Sequence, residues 1–232
     1  MIISKTPLRI SLVGGGTDMP EFYTKNGGAV VSFAIDKFIY IIVNPKFDGG
    51  TRVSYSITEN VEEPEQLKHD IVRETLKKFN TRGVEVVSVS DIPGQGSGLG
   101  SSSSFAVGIN LAMRKYTDAS INRHPSEYAE EAYTVEREKC GHPVGKQDHY
   151  AAAYGGFRYY QFNQDGSVVV QPIMLSEYNL KMLQSNMMLF WIGKTRHSNT
   201  ILKEQAKGLI DYPSVQDSAK WLGYLAKSLH DN

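Results

Sequence analysis

The stretch "PGQGSGLGSSSS", residues 93–104, constrains the fold of this chain more than any other segment. Glycines at alternate positions run into a block of serines. A β-branched run, "VEVVSVSDIP", precedes them, and a helical stripe of Phe105, Ile109, Ala112 and Tyr116 follows. The unit is therefore strand, bare loop, helix. Glycine lets the backbone take positive φ and approach a ligand with no Cβ between them. A helix beginning near Ser101 adds unpaired N–H groups and the positive end of its dipole, which together hold an anion. Hydroxyls at that entrance can ligate a hard cation such as Mg²⁺. The implied ligand is a polyphosphate carried with its metal. A Walker loop does not fit, because no lysine follows the glycines, and Gly-x-Gly-x-x-Gly spacing fails at Leu99. A flexible linker would carry neither Pro93 nor Leu99 and would not sit between two periodic elements.

The rest of the chain mixes strand and helix patterns. "LRISLV", "AVVSFAID", "FIYIIVNP" and "TRVSYSI" are strand-like runs, each ended by a polar residue, glycine or proline. "FRYYQF", "VVVQPIML" and "MMLFWIG" read as further strands. "PEQLKHDIVRETLKKFN" carries Val72, Leu76 and Phe79 at helical spacing, and helical patterns return from about Ser198 to the end. Strands come in runs separated by helices, so an α+β fold is expected. Lys plus Arg equals Asp plus Glu at 25 each, which leaves no broad basic face for a nucleic acid or a membrane. The single cysteine, Cys140, rules out an internal disulfide framework and suits a reducing compartment. No apolar run reaches membrane-spanning or signal-peptide length, so the expected setting is the cytoplasm.

One carboxylate stands out in "PSEYAEEAYTVEREKCG", a helix opened by Pro125–Ser126 and closed by Gly141. Positions 129, 132, 133, 136 and 140 share a face and are Ala, Ala, Tyr, Glu and Cys. Glu127, Glu130, Glu131, Arg137 and Glu138 lie largely elsewhere. Glu136 thus interrupts an apolar stripe, where a charge costs stability unless it is paired or metal-bound.

These segments resemble a known family. "PGQGSGLGSSSS" is similar to the Pro-x-x-x-Gly-Leu-Gly-Ser-Ser loop of the GHMP kinases, which include galactokinase, homoserine kinase, mevalonate kinase and phosphomevalonate kinase. "PLRISLVGGGTDMPEFY" aligns without gaps on the galactokinase signature Pro-Gly-Arg-Val-Asn-Leu-Ile-Gly-Glu-His-Thr-Asp-Tyr. Arg9, Gly14, Thr17 and Asp18 match, while Gly15–Gly16 replace Glu-His. The resemblance implies that Gly96, Gly98, Leu99, Gly100, Ser101, Ser102 and Ser103 wrap the phosphates of ATP. It also implies that Ser102 and Glu136 hold Mg²⁺. Arg9 would stabilise charge at the reacting hydroxyl. Asp148, in "VGKQDHYAAAYGG", would take or hold the hydroxyl proton. The spacing from Glu136 to Asp148 is one residue longer than in mevalonate kinase. Asp18, Thr17 and Gly16 would face the sugar, with Lys146 and Gln147 as further polar contacts, while His149 reads as structural.

"VGKQDHYAAAYGGF" and "WIGKTRHSNTILKEQ" look most like the branch of that family that phosphorylates the anomeric hydroxyl of a heptose phosphate. A phosphorylated acceptor calls for local basic residues, for which Arg196 and Lys194 are the first candidates and Lys5 and Arg158 the next. Free-sugar 1-kinases share these motifs, and a non-catalytic sugar or nucleotide sensor could keep the same fold. The resemblance implies a two-domain fold. Residues 1–183 would form the ATP-, Mg²⁺- and sugar-binding domain, of the type named for the second domain of ribosomal protein S5. Residues 184–232 would begin a ferredoxin-like C-terminal domain, because the family's third glycine-rich motif has no counterpart between Asp165 and Asn232. The expected partners are ATP and a small sugar phosphate, with a homodimer as the assembly to test.

Overall fold

The computed structural model describes residues 1–92, 97–190 and 198–231. A seven-stranded sheet consists of β1 (Ile2–Val13), β2 (Gly28–Pro45), β3 (Thr51–Ser54), β4 (Thr58–Val61), β5 (Val84–Ser90), β6 (Phe157–Phe162) and β7 (Val168–Pro172). The order runs β4-β3-β5-β2-β6-β7, with β1 paired to β2. Among the described residues only β3 and β5 run parallel; the other pairs are antiparallel. The two strands expected on either side of Asp36 and Lys37 are one strand, β2. The polar break marks a change of partner, not a turn. β2 pairs with β6 up to Phe33 and with β5 from Ile39 onward.

The helices are α1 (Pro20–Asn26), α2 (Asp70–Lys78), α3 (Ser101–Thr117), α4 (Pro125–Tyr133), α5 (Gln147–Tyr154), α6 (Glu177–Ser185), α7 (Ser198–Asp211) and α8 (Pro213–Asp231). The α+β class is as expected. The expected stripe of α3 is real, but Ala106, Val107 and Met113 are buried as well. This helix is the centre of the core, against Leu8, Ile41 and Val86 of the sheet and Val72 and Leu76 of α2. Val30 points toward α5 and packs with Ala151 and Tyr160. Its neighbours Ala29 and Val31 point to the opposite face and meet Ala226 of α8, as strand alternation requires. α7 is anchored by Leu209, which packs with Met19 and Phe22 at the start of α1.

Three expectations need correction. Residues 187–190 of "MMLFWIG" are not in a strand, and the remainder lies outside the described residues. β7 ends at Pro172, so "IML" is not part of it, although the Ile173 N–H still donates to the Phe157 carbonyl at 2.9 Å. The helix opened by Pro125 does not stay α-helical. After Tyr133 it becomes a π turn over Thr134–Lys139, in which the Cys140 N–H donates to the Val135 carbonyl at 3.0 Å. The boundary expected between 183 and 184 falls inside α6, and no residue of α6 is buried.

Candidate active site

β1 brings Arg9 against the glycine-serine loop. Its N–H donates to the Leu99 carbonyl at 3.2 Å and its Nη1 to the Gly98 carbonyl at 2.9 Å. A register shift between Pro7 and Arg9 re-aims the side chain at this point of the strand. The rest of the guanidinium grips Asp148, Nε to Oδ1 at 2.6 Å and Nη2 to Oδ2 at 2.5 Å. This two-pronged pair fixes both groups in one plane. Gly100 caps α3 with φ +75° and lies over the pair, where a Cβ would sit 3.2 Å from Asp148 Oδ2. Only a bare residue fits both demands.

Asp18 is buried beside this pair. Its Oδ1 accepts from the Gly16 N–H at 2.9 Å, and its Oδ2 accepts from the Gln147 N–H at 3.0 Å. Burial pushes its pKa up, and the nearby Asp148 charge pushes the same way, against the bonds from the Gln147 and Gly16 N–H groups. Gly145 must lack a side chain, because a Cβ there would collide with the Asp18 carboxylate. Arg9, Gly16, Asp18, Gln147 and Asp148 line a cleft of about 90 Å³, which α7 closes with Leu202 and Gln205. A larger groove of about 520 Å³, lined by Lys46, Thr51, Asn60 and Glu62 among others, shares none of these residues. We assign the smaller cleft as the candidate site because the Arg9–Asp148 pair and the buried Asp18 meet there, beside the glycine-serine loop.

A second cluster sits at the other side of the loop. Ser102 donates to Glu136 Oε1 at 2.5 Å and Ser103 to Oε2 at 2.9 Å. Glu136 is fully buried, with His149 Nε2 2.8 Å from Oε2 and His142 Nδ1 3.6 Å from Oε1. Burial alone would raise its pKa. The two imidazoles and the Ser102 hydroxyl outweigh burial and hold the carboxyl below its ordinary range. A salt bridge to Asp70 at 2.8 Å, together with Glu136, raises His142 to about 9. Ser102 is exposed at the loop side while its hydroxyl reaches the buried carboxylate. Hard oxygen donors in this number suit Mg²⁺, which takes one or two carboxylates and completes its shell from phosphates and water. Consecutive residues of α5 join the clusters, because Asp148 meets Arg9 while His149 meets Glu136. The π turn accommodates one extra residue in the helix that carries Glu136.

The structure seats the other predicted site residues as follows. The Thr17 hydroxyl donates to the Gly14 and Ala29 carbonyls and accepts from the Ala29 N–H, so it staples the turn to β2. Lys146 Nζ is committed to Glu130 and the Gly166 carbonyl, both at 2.7 Å, and not to the cleft. Ser101 is buried at the helix entrance. Gly96, Lys194 and Arg196 lie outside the described residues. Lys5 lies 3.8 Å from the centre of the Phe38 ring, and Arg158 donates to the Gly155 and Tyr154 carbonyls. Sequence reasoning passed over His142, Gly145, Leu202 and Gln205. His149, read as a structural histidine, touches the Glu136 carboxylate.

A glycine-capped helix entrance flanked by two carboxylate clusters is thus the defining arrangement. Residues 67–156, which carry the loop, Glu136 and Asp148, match the family model for the GHMP kinases N terminal domain. A D-glycero-alpha-D-manno-heptose 7-phosphate kinase of Campylobacter jejuni is 31% identical over 228 residues, 93% of this chain and 66% of its own length. The crystal structure of a D-glycero-D-manno-heptose 1-phosphate kinase of Bacteroides thetaiotaomicron superposes with a TM-score of 0.75 at 26% identity. That match covers 94% of this chain and 74% of the other. Lactococcus lactis galactokinase, solved with galactose, has a like fold, with a TM-score of 0.57 at 19% identity over 97% of this chain and 68% of its own. The chain carries a GHMP kinase N-terminal domain. It spans 66% of the length of the curated relative it matches. Among the described residues no helix is long and apolar enough to cross a membrane.

Proposed function

We propose that this chain carries the nucleotide and acceptor sites of an ATP-dependent sugar-phosphate kinase. It transfers the γ-phosphoryl group to the anomeric hydroxyl of a heptose 7-phosphate. The observation that carries this reading is the Arg9–Asp148 pair seated on the loop at Gly98–Gly100, next in sequence to Ser102 and Ser103, whose hydroxyls donate to Glu136. The substrate class rests on the C. jejuni relative, which is named a heptose 7-phosphate kinase.

Each residue then has a task. The loop backbone and the N-terminus of α3 receive the phosphates, where unpaired N–H groups and the helix dipole favour negative charge. Ser102 and Glu136 would hold Mg²⁺, which neutralises phosphate charge when bound. Asp148 orients the attacking hydroxyl and accepts its proton as the phosphoryl group arrives. Arg9 stabilises the charge that develops there and keeps the Asp148 carboxylate aimed. Asp18 accepts a hydrogen bond from a further sugar hydroxyl. Phosphoryl transfer passes through a loose transition state, so fixed geometry and charge contribute more than proton removal.

The test is ADP release by the 232-residue chain with Mg·ATP and D-glycero-D-manno-heptose 7-phosphate, beside galactose, fucose and mannose. Release with the heptose phosphate alone is expected. Release with a free sugar instead would make it a free-sugar 1-kinase. Saturable sugar binding with no ADP formed would make it a sensor, and the proposed activity would fall.

A further inference from the structure

The acceptor cleft has a wall that the family motifs do not supply. Leu202 and Gln205 stand on one face of α7, and both are half-buried, as is Ala206, while Lys203, Glu204 and Lys207 are exposed. One turn further on, Leu209 is 3% exposed and locks this face onto Met19 and Phe22, the residues that follow the Gly16–Asp18 turn. The helix is therefore anchored directly beside the cleft.

Gln205 uses that position in a specific way. Its carboxamide fills the space over Gly16, where a Cβ would meet Nε2, the movable end of the Gln205 side chain. Gly16 has φ +93°, so its backbone also disfavours a side chain. This gives a physical reason for the departure from the galactokinase signature. A carboxamide delivered from α7 occupies the volume over the position where that signature carries histidine. Gln147 also lines the cleft, and its Oε1 is buried with no hydrogen-bond partner among the described residues. Gln205 makes no side-chain hydrogen bond among the described residues either. A carboxamide has two donor hydrogens and an accepting oxygen, and a buried one left unpaired is costly. Met19, Val144 and Leu202 supply apolar surface between these polar groups. Polar groups that pair with hydroxyls, set around apolar patches that meet C–H faces, suit a polyhydroxylated ligand.

We propose that Gln205 is a specificity-determining residue of the acceptor site: its carboxamide, with that of Gln147, pairs with hydroxyls of a polyhydroxylated acceptor, and Gly16 is bare so that it can. The proposal rests on the kinase reading for the identity of the acceptor. It is tested with Gln205→Met, which keeps the length of the side chain and removes its hydrogen bonds. Binding of D-glycero-D-manno-heptose 7-phosphate and of Mg·ATP is measured by calorimetry on wild type and variant, alongside KM and kcat. The variant is expected to bind the heptose phosphate about tenfold more weakly, the effect of losing one hydrogen bond in a desolvated site. Its acceptor KM should rise by more than its kcat changes. ATP affinity should be unaltered, which also reports that the variant is folded. Equal acceptor affinity in wild type and Gln205→Met would overturn the role of Gln205 and leave the kinase reading intact. A wild-type chain that binds no sugar at all would overturn both.

Discussion

Glu131 and Glu136 are buried carboxylates from the same helical segment, and they are neutralised in opposite ways. Glu131 is surrounded by fixed cations. Arg114 of α3 donates to it through Nε, at 3.0 Å to Oε2, and through Nη2, while Lys78 of α2 lies 2.7 Å from Oε1. It ties α2, α3 and α4 together. Glu136 has two hydroxyls and two imidazoles and, among the described residues, neither an Arg nor a Lys. A carboxylate closed off by Arg and Lys is a strut. One held by serines at the mouth of the proposed phosphate site would keep its charge for a cation that arrives with the ligand.

If that contrast is right, substitutions should divide into two kinds. The largest effect belongs to the reacting cluster. Asp148→Ala should lower turnover by about a thousandfold, within the range of a lost general base, while Mg·ATP still binds. Calorimetry and steady-state ADP release check both halves. Glu136→Gln should behave like it and not like Glu131, losing at least about a hundredfold in kcat/KM.

Glu131→Gln should do the reverse. Leaving Arg114 and Lys78 with half a partner should cost about 2 kcal/mol, measured by urea unfolding, with kcat/KM within about twofold. Its pH dependence has a defined sign. Burial raises the Glu131 pKa, but the Arg114 and Lys78 interactions outweigh it, so the folded value lies below the ordinary 4.5. The stabilisation is then fully present above that ordinary value and is lost as pH falls through the folded one. The stability gap between wild type and Glu131→Gln should hold at neutral pH and close on acidification. A gap that widens in acid would contradict the strut. The smallest effect is expected for Lys78→Met, about 1 kcal/mol or less, because Lys78 is partly exposed.

The two glutamates also mark how far the sequence could be read. Glu136 was legible because α-helical spacing puts it on an apolar stripe. Glu131 was not, because its partners come from α2 and α3, and no local pattern announces them. The π turn was hidden for a related reason. Its residues fit an ordinary helical period, and only the hydrogen bond from Cys140 to Val135 reveals it. Arg9 and Asp148 were legible as motif positions, but their direct pairing across the loop was not. β2 was misread as two strands because Asp36 and Lys37 look like a turn when they sit at a change of partner. Gln205 carried no signal, since its role depends on α7 folding back onto a glycine far away in the chain. Local periodicity is written in the sequence, whereas contacts between distant elements must be seen.

The most direct measurement is a Mg²⁺ titration of ADP release for wild type, Glu131→Gln and Glu136→Gln under one set of conditions. The account predicts that Glu131→Gln follows the wild-type curve, while Glu136→Gln needs far more Mg²⁺ and does not recover full rate. Equal Mg²⁺ dependence in all three would contradict the assignment of Glu136 to the metal and reduce both carboxylates to struts.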